Sequence, residues 1–169
     1  LTSHSSQPAS AADFPYSSGI SWGRFGVFRL PPGADLIAAL HAFQRHSGAA
    51  AISVVTCVGS LTRVLIRHAN TPAGTLYEGH FEITSLTGTI DPDGEHLHLT
   101  ITDGEGRAFG GHLLAESAVY TTAEITVLLL DDLVFTREPC ALSGYDELVI
   151  HPATDGTHAH RPNPEEPSQ

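Results

Sequence analysis

One stretch of helical spacing, set between a short strand and six further runs of strand-like residues, most constrains what this chain can fold into. In "PPGADLIAALHAFQRHSG", Leu36, Ile37, Leu40 and Phe43 recur at helical spacing, and Gly48 fits a C-terminal stop. Pro31, Pro32 and Gly33 end the alternating segment "WGRFGVFRL" that precedes it, which reads as a first strand. Beyond the helix come "AAAISVVTCVGSL", "RVLIRHA", "LYEGHFEITSLTGTI", "LHLTITD", "AFGGHLL" and "AEITVLLLDDLVFTREP", separated by Gly, Asn and Asp signals. An early helix followed by strands with short connections predicts an α+β domain: a largely antiparallel β-sheet packed with one main helix.

At 169 residues the chain suits a single domain and can bury a core without disulfide or metal staples. Residues 1–19 are rich in Ser, Ala and Pro and are expected to be a flexible arm; residues 151–169 carry four prolines and few apolar side chains and are expected to be a flexible tail. The folded part is then 20–150. Acidic residues outnumber basic ones 19 to 8, for a net charge of -11, and lysine is absent. Arg24, Arg29, Arg45, Arg63, Arg67, Arg107, Arg137 and Arg161 are scattered along the chain, so the clustered cations that grip a phosphate backbone are missing and direct nucleic-acid binding is disfavoured. Cys57 and Cys140 lie far apart and are expected to be reduced, buried small hydrophobes. No segment approaches the ~20 apolar residues that span a bilayer, and the N-terminal stretch lacks the pattern of a signal peptide. The expectation is an intracellular, cytoplasmic protein without a membrane partner.

The alternation His96, Leu97, His98, Leu99 has the period of a strand, placing both imidazoles on one face and both leucines on the other. Whether His112 joins them depends on the hairpin "TDGEGR". A three-residue loop, Gly104-Glu105-Gly106 with Gly106 left-handed, pairs Asp103 with Arg107; residue numbers across the ladder then sum to 210, and His98 faces His112. A two-residue loop makes that sum 209 and turns His112 to the leucine face. Gly110-Gly111 also admits a bulge that re-aims His112. Three converging imidazoles form a divalent-metal site with a position left open for water or substrate; the bland account is a solvated sheet face.

Glu82 shares strand parity with His80 and is a candidate general base. Glu124 enters a strongly apolar strand, where an unpaired carboxylate is costly, so it is expected to have a partner such as a histidine, Arg63 or backbone N–H groups. "THAHRP" repeats the His-x-His spacing with His158 and His160, but in a tail that would pay an ordering cost to bind metal. His41 and His46 occupy ordinary helix positions, and His4 and His68 carry no assignment.

Five blocks in order, "LPPGADLIAAL", "CVGSL", "GHFEITSLTGTI", "HLHLTITDGEGRAFGGHL" and "TTAEITV", resemble the PPC (plant and prokaryote conserved) domain, which stands alone in prokaryotes and is fused to AT-hooks in plant nuclear proteins. The resemblance covers about residues 24–150. It implies an α+β fold assembled as a homotrimer, and a metal site at His96, His98 and His112. No Arg-Gly-Arg-Pro AT-hook is present, so the DNA-binding label of relatives rests on an element this sequence lacks. The expected function is a metal-binding protein, with zinc as the expected metal, a small-molecule site near a subunit boundary and hydrolase or lyase chemistry in which Glu82 or Glu124 moves protons. The alternative is a non-catalytic trimeric interaction module, or a transcription regulator acting through partners.

Overall fold

The computed structural model describes residues 16–154, and its helix forms where the spacing places it. Asp35 caps α1 (Leu36–Ser47): one carboxylate oxygen accepts from the Ala38 N–H at 2.8 Å, and the other accepts from the backbone and hydroxyl of Ser117. Gly48 ends the helix in the left-handed region at φ 68, donating to the Gln44 carbonyl. Leu36, Ile37 and Leu40 are buried, and Phe43 stacks on Phe28 of β1 (Gly23–Leu30) at 4.6 Å.

β1 is an edge strand. The order β1-β5-β2-β3-β4 links it to β5 (Ala108–Leu130), β2 (Ile52–Arg67), β3 (Thr75–Asp91) and β4 (Gly94–Thr102), and β4 pairs back onto β5. The last pairing closes β5, β2, β3 and β4 into a ring, and every pairing is antiparallel. The inner face holds the core, with Ile52, Leu61, Ile66, Leu86, Ile90, Leu97, Leu99, Ile101, Leu113 and Ile125 almost wholly shielded from water. Burying so many aliphatic side chains, at roughly 25 cal/mol per Å² of apolar surface removed from water, is the main stabilising contribution.

Two features depart from expectation. The runs "AAAISVVTCVGSL" and "RVLIRHA" are halves of one strand, β2, and β5 likewise runs unbroken through Ala115–Thr122; irregular registers near Leu61 and Arg63 and a positive φ at Glu116 bend these strands rather than end them. The last run divides at Asp131-Asp132, after which β6 (Leu133–Pro139) pairs with an unforeseen strand, β7 (Asp146–Pro152). This small sheet packs Leu133 and Phe135 with Ala51, Leu148 and Ile150 in a cluster of its own. Cys57 is free and buried, and burial pushes its thiol up to about 12. Cys140 is free but not fully buried, contrary to expectation, because it opens the turn between β6 and β7. Most of the expected arm and tail, with His4, His158 and His160, lies outside the described residues; within the arm, Ser17 accepts a hydrogen bond from the Ile150 N–H at 2.8 Å.

Candidate metal centre

The hairpin between β4 and β5 takes the three-residue loop. The Asp103 N–H donates to the Arg107 carbonyl at 3.1 Å, the Gly106 N–H returns to the Asp103 carbonyl at 3.0 Å, and Gly106 sits at φ 78. The Asp103 side chain accepts from the Glu105 and Arg107 backbones and pairs with the Arg107 guanidinium, which holds its carboxyl below the usual range. The ladder that follows pairs Thr102 with Ala108, Ile101 with Phe109 and His98 with His112, the register in which residue numbers sum to 210.

Leu97 and Leu99 therefore point into the core while His96 and His98 stand on the outer face, joined by the half-buried His112. One donor atom from each imidazole lies within 4.8 Å of the others. His96 Nε2 and His98 Nε2 are 3.3 Å apart, matching the separation of about 3.3 Å that two nitrogens show when both bind tetrahedral zinc at about 2.0–2.1 Å. The donor set thus fits a zinc-like ion by element and number, and the His96–His98 pair fits it by spacing. Two glycines let the strands approach closely enough. A Cβ on Gly88, at φ 138, would lie 1.9 Å from the His96 carbonyl oxygen, and one on Gly110 would lie 2.1 Å from that of Leu99.

Desolvation is the first cause that lowers the pKa of both His96 and His112. For His96 the next are His98 and Arg137; for His112 they are Arg67 and His96. Both rings accordingly favour the uncharged form, which keeps a lone pair for a metal. A cavity of about 700 Å³ opens beside the triad, lined among others by Arg67, His68, Asn70, Gly110 and Tyr145. On its other side a smaller hollow of about 310 Å³ is bounded by Thr87, Thr89, Arg137 and Leu148.

The two carboxylates proposed for proton transfer are not brought to the triad; neither belongs to the set of donors within 4.8 Å. Glu82 is exposed between Ser60 of β2 and Thr102 of β4. Glu124 is also exposed, between Arg29 and Val58, so the burial that would have required a partner does not arise; Arg63 pairs instead with Glu116 at 2.7 Å. Sequence reasoning also missed several neighbours of the site. Arg67 lies opposite His112 through the β2–β5 register, His41 on the helix pairs with Glu95 at 2.6 Å, and Arg137 arrives from β6. None carries a local signal, because each contact depends on long-range pairing.

The model of the Plants and Prokaryotes Conserved (PCC) domain matches residues 18–131. The chain is 40% identical over 129 residues to the bifunctional protein GlmU of a Synechococcus species, covering 76% of this chain and 21% of that protein. It spans about a fifth of the length of that curated relative. It is 33% identical over 96 residues to the AT-hook motif nuclear-localized protein 4 of Arabidopsis thaliana, which covers 52% of this chain and 23% of that one. Among solved structures, a hypothetical protein from Salmonella cholerae-suis superposes with a TM-score of 0.79 at 42% identity, covering 82% of this chain and 100% of that one. A metal-containing protein from Archaeoglobus fulgidus superposes with a TM-score of 0.67 at 22% identity, covering 80% and 99%, and shares the fold.

Proposed function

This chain belongs to the Plants and Prokaryotes Conserved domain family, and from that premise we propose that it is a metal-binding member whose His96, His98 and His112 hold a divalent transition metal, zinc foremost, open to a small molecule. The observation that carries this reading is the convergence of three imidazole donors within 4.8 Å beside a cavity. Three protein ligands with a free position are the pattern of reactive rather than purely structural zinc sites. The Archaeoglobus fulgidus protein described as metal-containing has the same fold, which supports the assignment.

When bound, such an ion supplies Lewis acidity toward a carbonyl or a water molecule, the chemistry of hydrolases and lyases. The chain's part is to hold three uncharged rings on a rigid outer sheet face and to shape the adjoining cavity. Proton transfer by Glu82 or Glu124 requires an adjoining copy to supply the carboxylate, since neither reaches the triad within one chain. We take the assembly to be a homotrimer. The outer face of β1, β5 and β2 exposes Phe25, Val27, Val55 and Val58, an apolar surface suited to burial between copies.

The same surface supports a second reading, a non-catalytic trimeric module that recruits partners, with the metal serving structure alone. Direct DNA contact forms no part of either reading: the net charge is -11, and Arg24, Arg63, Arg107 and Arg137 are each engaged by carboxylates. Elemental analysis tests the metal reading on tag-free protein kept away from nickel resin. It predicts close to one metal per chain in the wild type and loss of that metal in His96→Ala, His98→Ala and His112→Ala; metal content unchanged in all three variants would refute it.

A further inference from the structure

We infer that the molecule completing this metal site is a small oxyanion, a carboxylate or phosphoryl group, with Arg67 as its second anchor. The inference rests on the metal-binding reading and adds to it the chemical class of the ligand.

Arg67 ends β2 directly opposite His112, is half-buried, and lines the cavity beside the triad. Arg24, Arg63, Arg107 and Arg137 each meet a carboxylate at 2.7–2.9 Å, whereas Arg29, Arg45 and Arg67 have no ion pair or side-chain hydrogen bond among the described residues; of these three, Arg29 and Arg45 are exposed and Arg67 is half-buried. In a chain with 19 acidic and 8 basic residues, carboxylates are plentiful, and a half-buried guanidinium without one is informative.

Three uncharged imidazoles leave the full double charge of a divalent ion uncompensated. A guanidinium facing the same cavity adds repulsion, which an anion between the two converts into attraction on both sides. The acidic groups that face the cluster do not supply that anion. Glu95 is engaged by His41 at 2.6 Å, Asp91 by Arg137 at 2.9 Å, and neither they nor Glu147 of β7 join the donors lying within 4.8 Å of one another. Nor is His68 a spare ligand: its Nδ1 donates to the Gly110 carbonyl at 3.0 Å and its Nε2 meets the Tyr77 hydroxyl at 2.6 Å. That clamp also fixes the backbone next to Arg67, so the planar fork is presented from a rigid strand end, the geometry that suits two-point recognition of a carboxylate or phosphate.

The test uses the full chain loaded with cobalt, whose visible absorption reports a change of inner ligand. Acetate, inorganic phosphate and neutral acetamide are titrated separately into wild type, Arg67→Gln, Arg67→Lys and, as an exposed control on the helix, Arg45→Gln. Expected is a saturable spectral change with acetate or phosphate and none with acetamide. The anion affinity should fall about tenfold in Arg67→Gln and less in Arg67→Lys, at unchanged cobalt content, and Arg45→Gln should match wild type. The tighter of the two anions identifies the class as carboxylate or phosphoryl. Equal anion affinity in wild type and Arg67→Gln, or acetamide acting as well as acetate, overturns the inference while leaving the metal site standing. Failure of the wild type to take up cobalt overturns the metal reading and this inference with it. If Arg67→Gln does not fold, Arg67→Lys decides: affinity equal to wild type counts against the role of the planar fork.

Discussion

Arg137 carries a charge from β6 to the base of the histidine strand: its Nε donates to Asp91 and its Nη2 to Thr89 Oγ1, both at 2.9 Å. Asp91 is completely buried and, among the described residues, otherwise accepts from the N–H groups of Asp93 and Gly94 in the β3–β4 turn. Replacing Arg137 by Ala leaves that carboxylate buried without its counter-charge, and urea denaturation should show a loss of roughly 3–5 kcal/mol; a loss below about 1 kcal/mol would mean the pair contributes little. The histidines make a second claim at this scale. His96 and His112 titrate below the ordinary value of 6.5, so as pH falls through 6.5 the unfolded chain takes up protons before the folded one does. Metal-free protein should therefore lose stability progressively from pH 6.5 downward, until the depressed folded values are reached. Bound metal should be released over the same range, because protons compete for the same lone pairs. Thermal melts between pH 8 and pH 5 check the first point, and a flat melting temperature in His96→Ala/His112→Ala beside a falling one in wild type would assign the slope to these rings.

The β4–β5 hairpin sets which face His112 occupies, and close backbone contact maintains it. A methyl group on Gly110 would meet the Leu99 carbonyl oxygen at 2.1 Å, so Gly110→Ala should cost roughly 1–3 kcal/mol and weaken metal uptake together, whereas Gly94→Ala, with open space around it, should change neither. Equal behaviour of the two variants would show that strand approach does not control the site. The contrast between this hairpin and the rest of the sheet explains what was legible in the sequence. The alternation of His96, Leu97, His98 and Leu99 and the turn residues are local: they put His96 and His98 on one face and offer the 210 register beside the 209 register and a bulge, and the three-residue loop with Gly106 left-handed selects 210 and the facing pair. The helix was equally local, from Asp35 to Gly48. Strand lengths were not, because bulges near Leu61, Arg63 and Glu116 interrupt the alternation without interrupting β2 or β5. β7 was missed because its pairing with β6 across the Cys140–Tyr145 turn follows an irregular stretch with no clean hairpin signal. Arg67 and Arg137 reach the site only through pairings dozens of residues apart in the chain, and Glu124 was expected to be buried because its neighbours in sequence are apolar while its side chain faces outward.

At the scale of the whole molecule, the support for the proposed assembly is a set of exposed apolar side chains on the outer face. Phe25 and Val27 are 70% and 72% exposed on edge strand β1, and Val58 is 59% exposed two strands away. Light scattering should give about 54 kDa, three times the chain mass of 17.9 kDa, and Val27→Asp should shift the population toward single chains by placing charges in the interface. A mass of one chain in the wild type at micromolar concentration would contradict the trimer. The central claim, however, concerns the triad itself, and its most direct test is anomalous diffraction at the zinc absorption edge from crystals grown with equimolar zinc. The account predicts one strong peak per chain within about 2.0–2.1 Å of a nitrogen of each of His96, His98 and His112; no peak there, or a peak only at other histidines, would contradict it.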